Sequence, residues 1–364
     1  MRIALLGDIA LFGCFSVNEN KKVKQYLQEI SDYLTGFDLV IGNFETPFSV
    51  KQKKSGAKSA YICSDVENIE ILKWLHIDAV NLANNHVFDF GDEGYETTVS
   101  LLDKAGIGHF GTEGQTWAYE KEGNKLLFSG FCCYSTNPLR IAAKQGEYGV
   151  NKYNIGDVSS LIRTTTEKGY LNIVGVHAGI EHVNYPSLDH VRAARKLSET
   201  CSYIYYGHHP HVIQGVEEYN GSLIAHSLGN FSFDDTYTDT SGDKPLVTLT
   251  EQNRTGMILE LTVEDNKVVG WKEQMIYIGQ DGSISLMQDD GRLSKYNNGL
   301  VKCEQAPELY TKSRMEVINA RIAQRKAMRN TMWILRRLRP RFVRLILDAR
   351  RNKKLYVENV KSFI

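Results

Sequence analysis

The chain has 364 residues, 42% of them hydrophobic, and its 43 basic residues balance 43 acidic ones. That is enough apolar material for at least one large core with room for a smaller module, which excludes a disordered chain. Six cysteines, two adjacent as Cys132-Cys133, show no regular spacing and no CxxC pair, so a disulfide framework and a thiolate zinc site are both unexpected and reduced thiols are the default.

Taken in order, the first apolar run, 3–6, meets an acid at Gly7-Asp8 with no stretch long enough for a signal peptide or a membrane span. Export by a standard route is therefore not expected, and a cytoplasmic protein is. Further short runs rich in β-branched residues, 39–41, 79–82, 126–128, 173–176 and 203–206, read as buried strands. Segments with helical spacing lie between several of them, at 23–34, 66–75, 94–105 and 188–200. The alternation predicts a partly parallel sheet covered by helices.

From 214 to 277 the pattern changes to paired strands, with 257–263 and 267–273 flanking the turn Glu264-Asp265-Asn266. Residues 281–306 are polar without a strong period and read as a connection. Residues 309–347 read as a helix broken or kinked at Pro340, with Trp333, Ile334, Leu335, Leu338, Phe342, Leu345 and Ile346 among arginines. The expected division is a main domain at 1–280, a connection at 281–306 and a basic helical tail at 307–364. From Thr311 onward 16 Lys/Arg face Glu316, Asp348 and Glu358, so 27 basic and 40 acidic residues precede them. Such a tail suits an anionic partner, whether an inner membrane leaflet, nucleic acid or the acidic body itself; the plainer reading is a solvated basic helix. The tail holds no recognisable nucleic-acid module, so nucleic acid is not an expected partner.

Five strand ends carry residues of metal-ligand type: Asp8; Asn43 and Glu45; Asn84, Asn85 and His86 continuing to Asp89; His177 and Glu181; and His208, His209 and His211. Singly, each reads as a turn or a cap. Together they point to one site, because ligands of open α/β sheets collect beyond the carboxyl ends of the strands. Three imidazoles within four residues are poorly explained by packing alone.

The order of these motifs resembles the calcineurin-like metallophosphoesterases and, more closely, the bacterial CapA family, named for capsule and poly-γ-glutamate biosynthesis. The matching stretches are Gly-Asp-Ile at 7–9, Gly-Asn-Phe-Glu at 42–45, Leu-Ala-Asn-Asn-His-Val-Phe-Asp-Phe-Gly at 82–91, Gly-His-His-Pro-His-Val-Ile-Gln at 207–214 and Ser-Leu-Gly-Asn-Phe-Ser-Phe at 227–233. The resemblance implies a four-layer α/β/β/α sandwich of metallophosphatase type. It also implies candidate ligands Asp8, Glu45, Asn85, His177, Glu181, His209 and His211, with His86 either among them or acting on the leaving oxygen, oriented by Asp89. Asn43, Asn84, His208 and Asn230 would then meet the substrate. Carboxylate, amide and imidazole donors suit one or, more in keeping with the family, two ions of Mn, Zn or Fe.

The chain departs from the pattern in places. Asp8-Ile9-Ala10 replaces Asp-x-His, Asn43 and Glu45 replace a bridging Asp, Ala178 stands where the family usually has Trp, and His226 where it usually has Tyr. The expected function is a metal-dependent phosphoesterase-like hydrolase acting on an anionic or phosphorylated precursor of a surface polymer. The alternative is a non-catalytic subunit of a polymer-synthesis complex.

Overall fold

The computed structural model describes residues 1–50, 54–56, 58, 60–141, 147–237, 245–327 and 340–364. At the centre of one sheet, β1 (Arg2–Ile9), β2 (Leu39–Phe44), β3 (Ala79–Asn81) and β4 (Gly108–Phe110) run parallel. On the other side of β1 the antiparallel strands β12 (Thr255–Glu264), β13 (Lys267–Ile278) and β14 (Ile284–Met287) extend it, and β11 (Asn230–Ser232) pairs with the end of β1. The second sheet has parallel β6 (Asn124–Cys132), β7 (Leu171–His177), β8 (Ile204–His208) and β10 (Ser222–Ala225), flanked by antiparallel β5 (Thr116–Lys121) and β9 (Val216–Tyr219).

Side chains of a strand alternate between its two faces, and here both faces are buried. Ile3 and Leu5 of β1 meet Phe128, Ile173 and Tyr206 of the second sheet, while Ala4 and Leu6 face outward. On that outer side lie α1 (Val23–Tyr26), α2 (Gln28–Leu34), α3 (Ile69–Trp74) and α4 (Gly91–Ala105), which bury Ile30, Leu34, Ile71, Leu72 and Leu102. Beyond the second sheet, α5 (Ile155–Thr166) and α6 (Leu188–Ser198) pack Val158, Ile162, Ala194 and Leu197 against Val174, Val176 and Tyr205. The result is the four-layer α/β/β/α sandwich. Each fully buried aliphatic side chain contributes about 1.5–3 kcal/mol.

The short helix α7 (Glu251–Arg254) leads into β12. Asp265 and Asn266 both adopt positive φ, 47° and 61°, so the hairpin between β12 and β13 closes with the two-residue loop that matches strand twist.

The stretch expected as a connection, 281–306, instead contains β14 and the helix α8 (Arg292–Gln305). Leu293, Tyr296, Leu300 and Cys303 recur at helical spacing and are buried, a stripe diluted in the sequence by the polar residues between them. Among the described residues the expected tail helix comprises α9 (Pro307–Ala327) and α10 (Pro340–Asn359), the latter running past residue 347. Proline suits a first helical position, where its missing N–H costs nothing. Trp333, Ile334, Leu335 and Leu338 lie outside the described residues. The tail packs on the acidic body: Lys361 is 2.8 Å from Asp189, Val360 is fully buried, and Arg314 donates to the Tyr185 carbonyl at 3.0 Å. Among the described residues no helix is long and apolar enough to cross a membrane.

Candidate metal centre

Several strands deliver their last residues to one place. Asp8 on β1 sits opposite Asn43 on β2 and Asn230 on β11, and His177 on β7 sits opposite His208 on β8. The glycines of two motifs are there because backbone passes too closely for a side chain. A Cβ on Gly7 would stand 2.1 Å from the Gly229 carbonyl oxygen, and one on Gly207 would stand 1.9 Å from that of His226.

Asp8, Glu45 and His211 each offer a ligand atom, and these atoms lie within 4.8 Å of one another. Asn43 donates from Nδ2 to Asp8 Oδ1 at 2.8 Å and lies 3.4 Å from Glu45 Oε1. The backbone N–H of His209 donates to Asp8 Oδ2 at 3.1 Å. His211 Nδ1 is 2.9 Å from Asn230 Oδ1 and 3.3 Å from Asp8 Oδ2, leaving Nε2 turned toward Glu45 Oε2 at 4.0 Å. Both Glu45 Oε2 and Asn43 Oδ1 are buried without a hydrogen-bond partner. Buried polar atoms are normally paired, so an oxygen-rich cluster with orphaned acceptors fits a bound cation.

The electrostatics agree. Burial, and then the Asp8 charge, push the Glu45 carboxyl well above its usual range. Burial opposes the charge of Asp8 as well, but His211 and then His208 and Asn43 overcome it and hold Asp8 below its usual value. Burial likewise disfavours a charged His211, yet Glu45 and Asp8 outweigh it and raise its pKa to about 10. The charged His211 thus balances Asp8 alone while Glu45 is driven toward its neutral form, whereas a divalent ion would let both carboxyl groups carry charge.

Next to this cluster His177 Nε2 lies 2.8 Å from Asn85 Oδ1 and 3.1 Å from His209 Nδ1, with the two rings 4.8 Å apart edge to face. Burial keeps His209 near a pKa of about 3, and His177 is also held well below its ordinary value by burial, so both are neutral imidazoles able to ligate. His209 and His211 adopt φ of 92° and 55°, a conformation costing on the order of 1–3 kcal/mol per residue and typical of functional sites.

His86 lines a cleft of about 680 Å³ together with Asn85, Lys58 and Glu181. Its Nδ1 is 2.7 Å from Asp89 Oδ2, and Asp89 is fully buried, accepting from Lys58 Nζ at 2.5 Å and from the Ile62 N–H at 3.0 Å. Lys58 also donates to the Asn85 carbonyl at 2.6 Å. With Nδ1 engaged, Nε2 is the nitrogen left to a ligand in the cleft.

Other expected residues are placed differently. Glu181, an expected ligand, pairs its Oε2 with Arg321 of α9 at 3.0 Å and accepts from the same guanidinium at its carbonyl; burial opposes its charge, but His209 and His211, ahead of Arg321, hold the carboxyl below its usual range. Asn43, Asn84, His208 and Asn230, expected to meet substrate, are all 0% exposed, as are Asp8, Glu45 and His177. Asn84 spends its amide on the loop, donating to the Phe44 carbonyl and accepting from the N–H groups of His86 and Val87. Asn230 orients His211, and His208 lies 3.5 Å from Asp8 Oδ1 without hydrogen-bond geometry. The physical reason is that returning segments cover these strand ends.

Three supporting residues escaped the sequence reading. Lys58 lay in a lysine-rich run without periodicity. Arg321 sits far along the chain. Asn253 donates to the His211 carbonyl and accepts, through its own carbonyl, from Asn230; its only signal was its place after Thr250, a helix-capping position.

A two-sheet sandwich with carboxylate, amide and imidazole groups at the strand ends defines a metallophosphatase-type fold. Residues 2–235 match the model of the bacterial capsule synthesis protein family PGA_cap, and the chain belongs to that family. It is 27% identical over 308 residues to the PGA biosynthesis protein CapA of Bacillus subtilis, covering 80% of this chain and 81% of that protein. To the capsule biosynthesis protein CapA of Bacillus anthracis it is 28% identical over 259 residues, covering 68% and 63%. Among solved structures, the calcineurin-like phosphoesterase YfkN of Bacillus subtilis is similar with 16% identity and a TM-score of 0.41, over 88% of this chain and 98% of that one.

Proposed function

We propose that this chain is a metal-dependent hydrolase of phosphoesterase type that works in the synthesis of a capsule or another cell-surface polymer. The observation that carries it is the buried Asp8, Glu45 and His211 cluster set beside the His86 and Asp89 pair at a cleft. The names of its relatives, capsule and PGA biosynthesis proteins, supply the polymer context.

Asp8, Glu45, Asn85, His177, His209 and His211 would hold one or two ions of the Mn, Zn or Fe kind. Such ions polarise a phosphoryl oxygen and make a bound water nucleophilic at neutral pH. Asn43 keeps Asp8 facing the site, and Asn230 fixes the His211 tautomer. Asp89 accepts the Nδ1–H of His86 and so supports a ring that also carries a proton on Nε2, the proton that would pass to the leaving oxygen. Glu181, tied to Arg321 and close enough to His209 and His211 to feel their charge, would complete the set from the lining of the cleft. On α10, Val343, Ile346 and Leu347 are 59%, 53% and 57% exposed beside arginines. That pattern supports work at the cytoplasmic face of the membrane, with the apolar groups at the headgroups and the cations on anionic lipid.

The test is turnover. Phosphomonoesters and phosphodiesters supplied with Mn²⁺ are expected to include at least one substrate, with activity lost on chelation and restored by Mn²⁺. Metal-loaded protein that turns over none of them would sink the hydrolase and favour the non-catalytic subunit of a polymer-synthesis complex.

A further inference from the structure

The family match ends at residue 235, yet the helices beyond it reach back to the cleft. The cleft that Asn85 and His86 line is also lined by Arg344, Asp348, Arg351 and Asn352 of α10, and by Arg140 with the acids Glu147 and Glu181. At about 680 Å³ it falls within the range of small-molecule sites and is far roomier than one phosphoryl group requires.

We infer that α10 supplies an anion grip, Arg344 and Arg351, that selects extended oligoanions over single anions. Residues 344, 348 and 351 share one helix face. Asp348 lies 3.9 Å from Arg344 and 3.6 Å from Arg351, close enough to aim both guanidinium groups by charge but too far to hydrogen-bond them. Each guanidinium carries five N–H donors, and the two side chains are 73% and 56% exposed, so most of those donors remain for a ligand.

Solvated surface arginines would look similar on a loose helix, but this helix is fixed. Asn352 is 2% exposed and donates to Asn137 Oδ1 at 3.4 Å, Tyr356 packs its ring 5.8 Å from that of His190, and Val360 is buried in the outer core. Lys58 cannot serve in their place, because its ammonium group is spent on Asp89 and the Asn85 carbonyl. Arg140 is likewise held by Asp92 at 3.0 Å, with Glu147 3.9 Å away, so the grip is the α10 pair.

The grip rests on the proposed function only for where the reacting end of the ligand sits, and binding tests it without turnover. The full chain would be titrated calorimetrically with sodium phosphate, tripolyphosphate and a linear hexaglutamate; the last two tell a phosphate chain from a carboxylate chain. The wild type is expected to bind one oligoanion more tightly than phosphate. R344Q/R351Q should weaken that oligoanion about tenfold or more and phosphate by less than about twofold, consistent with losing charge-assisted bonds at one end only. R350Q, on the same helix but another face, should leave both unchanged, and an unaltered melting temperature in R344Q/R351Q would show that α10 stays docked. Equal weakening of phosphate and oligoanion, no weakening of either, or no oligoanion preference in the wild type would overturn the grip. If the binding pattern holds while no phosphoester is turned over, the grip stands and the hydrolase reading alone fails.

Discussion

Changing His86 to Ala is expected to lower kcat on the best phosphoester by about 10²–10⁴-fold, the usual worth of a positioned proton donor or acceptor. Bound metal should remain, because the Asp8, Glu45 and His211 cluster forms without that ring. Changing Asp89 to Asn should lower kcat as well, since the amide no longer fixes the proton on Nδ1 while the geometry survives. The comparison is made by steady-state kinetics beside metal content. A kcat unchanged in the His86 variant would remove that residue from the chemistry, and loss of metal together with activity would make it a ligand instead.

Lys58 to Met is expected to produce the largest loss of stability among single changes at the site. Asp89 is fully buried and Lys58, 9% exposed, is its cation, 2.5 Å away. Burial opposes the carboxylate, and Lys58 and His86 reverse that effect and hold its pKa below the ordinary value. Removing the lysine strands the charge, at a cost of about 3–5 kcal/mol. Urea denaturation measures it. Adding Asp89 to Asn to the Lys58 variant should recover much of the loss, because a neutral amide needs no counter-charge. A Lys58 variant as stable as the wild type would show that the pair does not hold the loop.

The sheets and the ligand row were legible for one reason: each apolar strand with both faces buried ends abruptly on a polar residue, as at Leu6-Gly7-Asp8 and Tyr206-Gly207-His208. The four-layer arrangement and the assignment of ligands came from the resemblance, since periodicity cannot tell which strands share a sheet. Roles within the site were less legible. Asn43, Asn84, His208 and Asn230 have ligand or substrate chemistry in the sequence, and only the fold shows Asn43 spent on Asp8, Asn84 on its own loop and Asn230 on His211. That Glu181 also pairs with Arg321, 140 residues later, could not be read from its own motif. Likewise α8 was missed because polar residues separate Leu293, Tyr296, Leu300 and Cys303. The docking of α10 depends on Asn352, Tyr356 and Val360, whose partners belong to distant elements.

The central claim is that the strand ends hold a divalent metal. Elemental mass spectrometry on protein purified without added metal, followed by calorimetric titration with Mn²⁺, tests it most directly when the wild type is set beside a folded variant with Asp8 changed to Asn and His211 to Ala. The account predicts near-stoichiometric transition metal or saturable Mn²⁺ binding in the wild type and its loss in the double variant. No metal and no saturable binding in the wild type, or equal binding in both proteins, would contradict it.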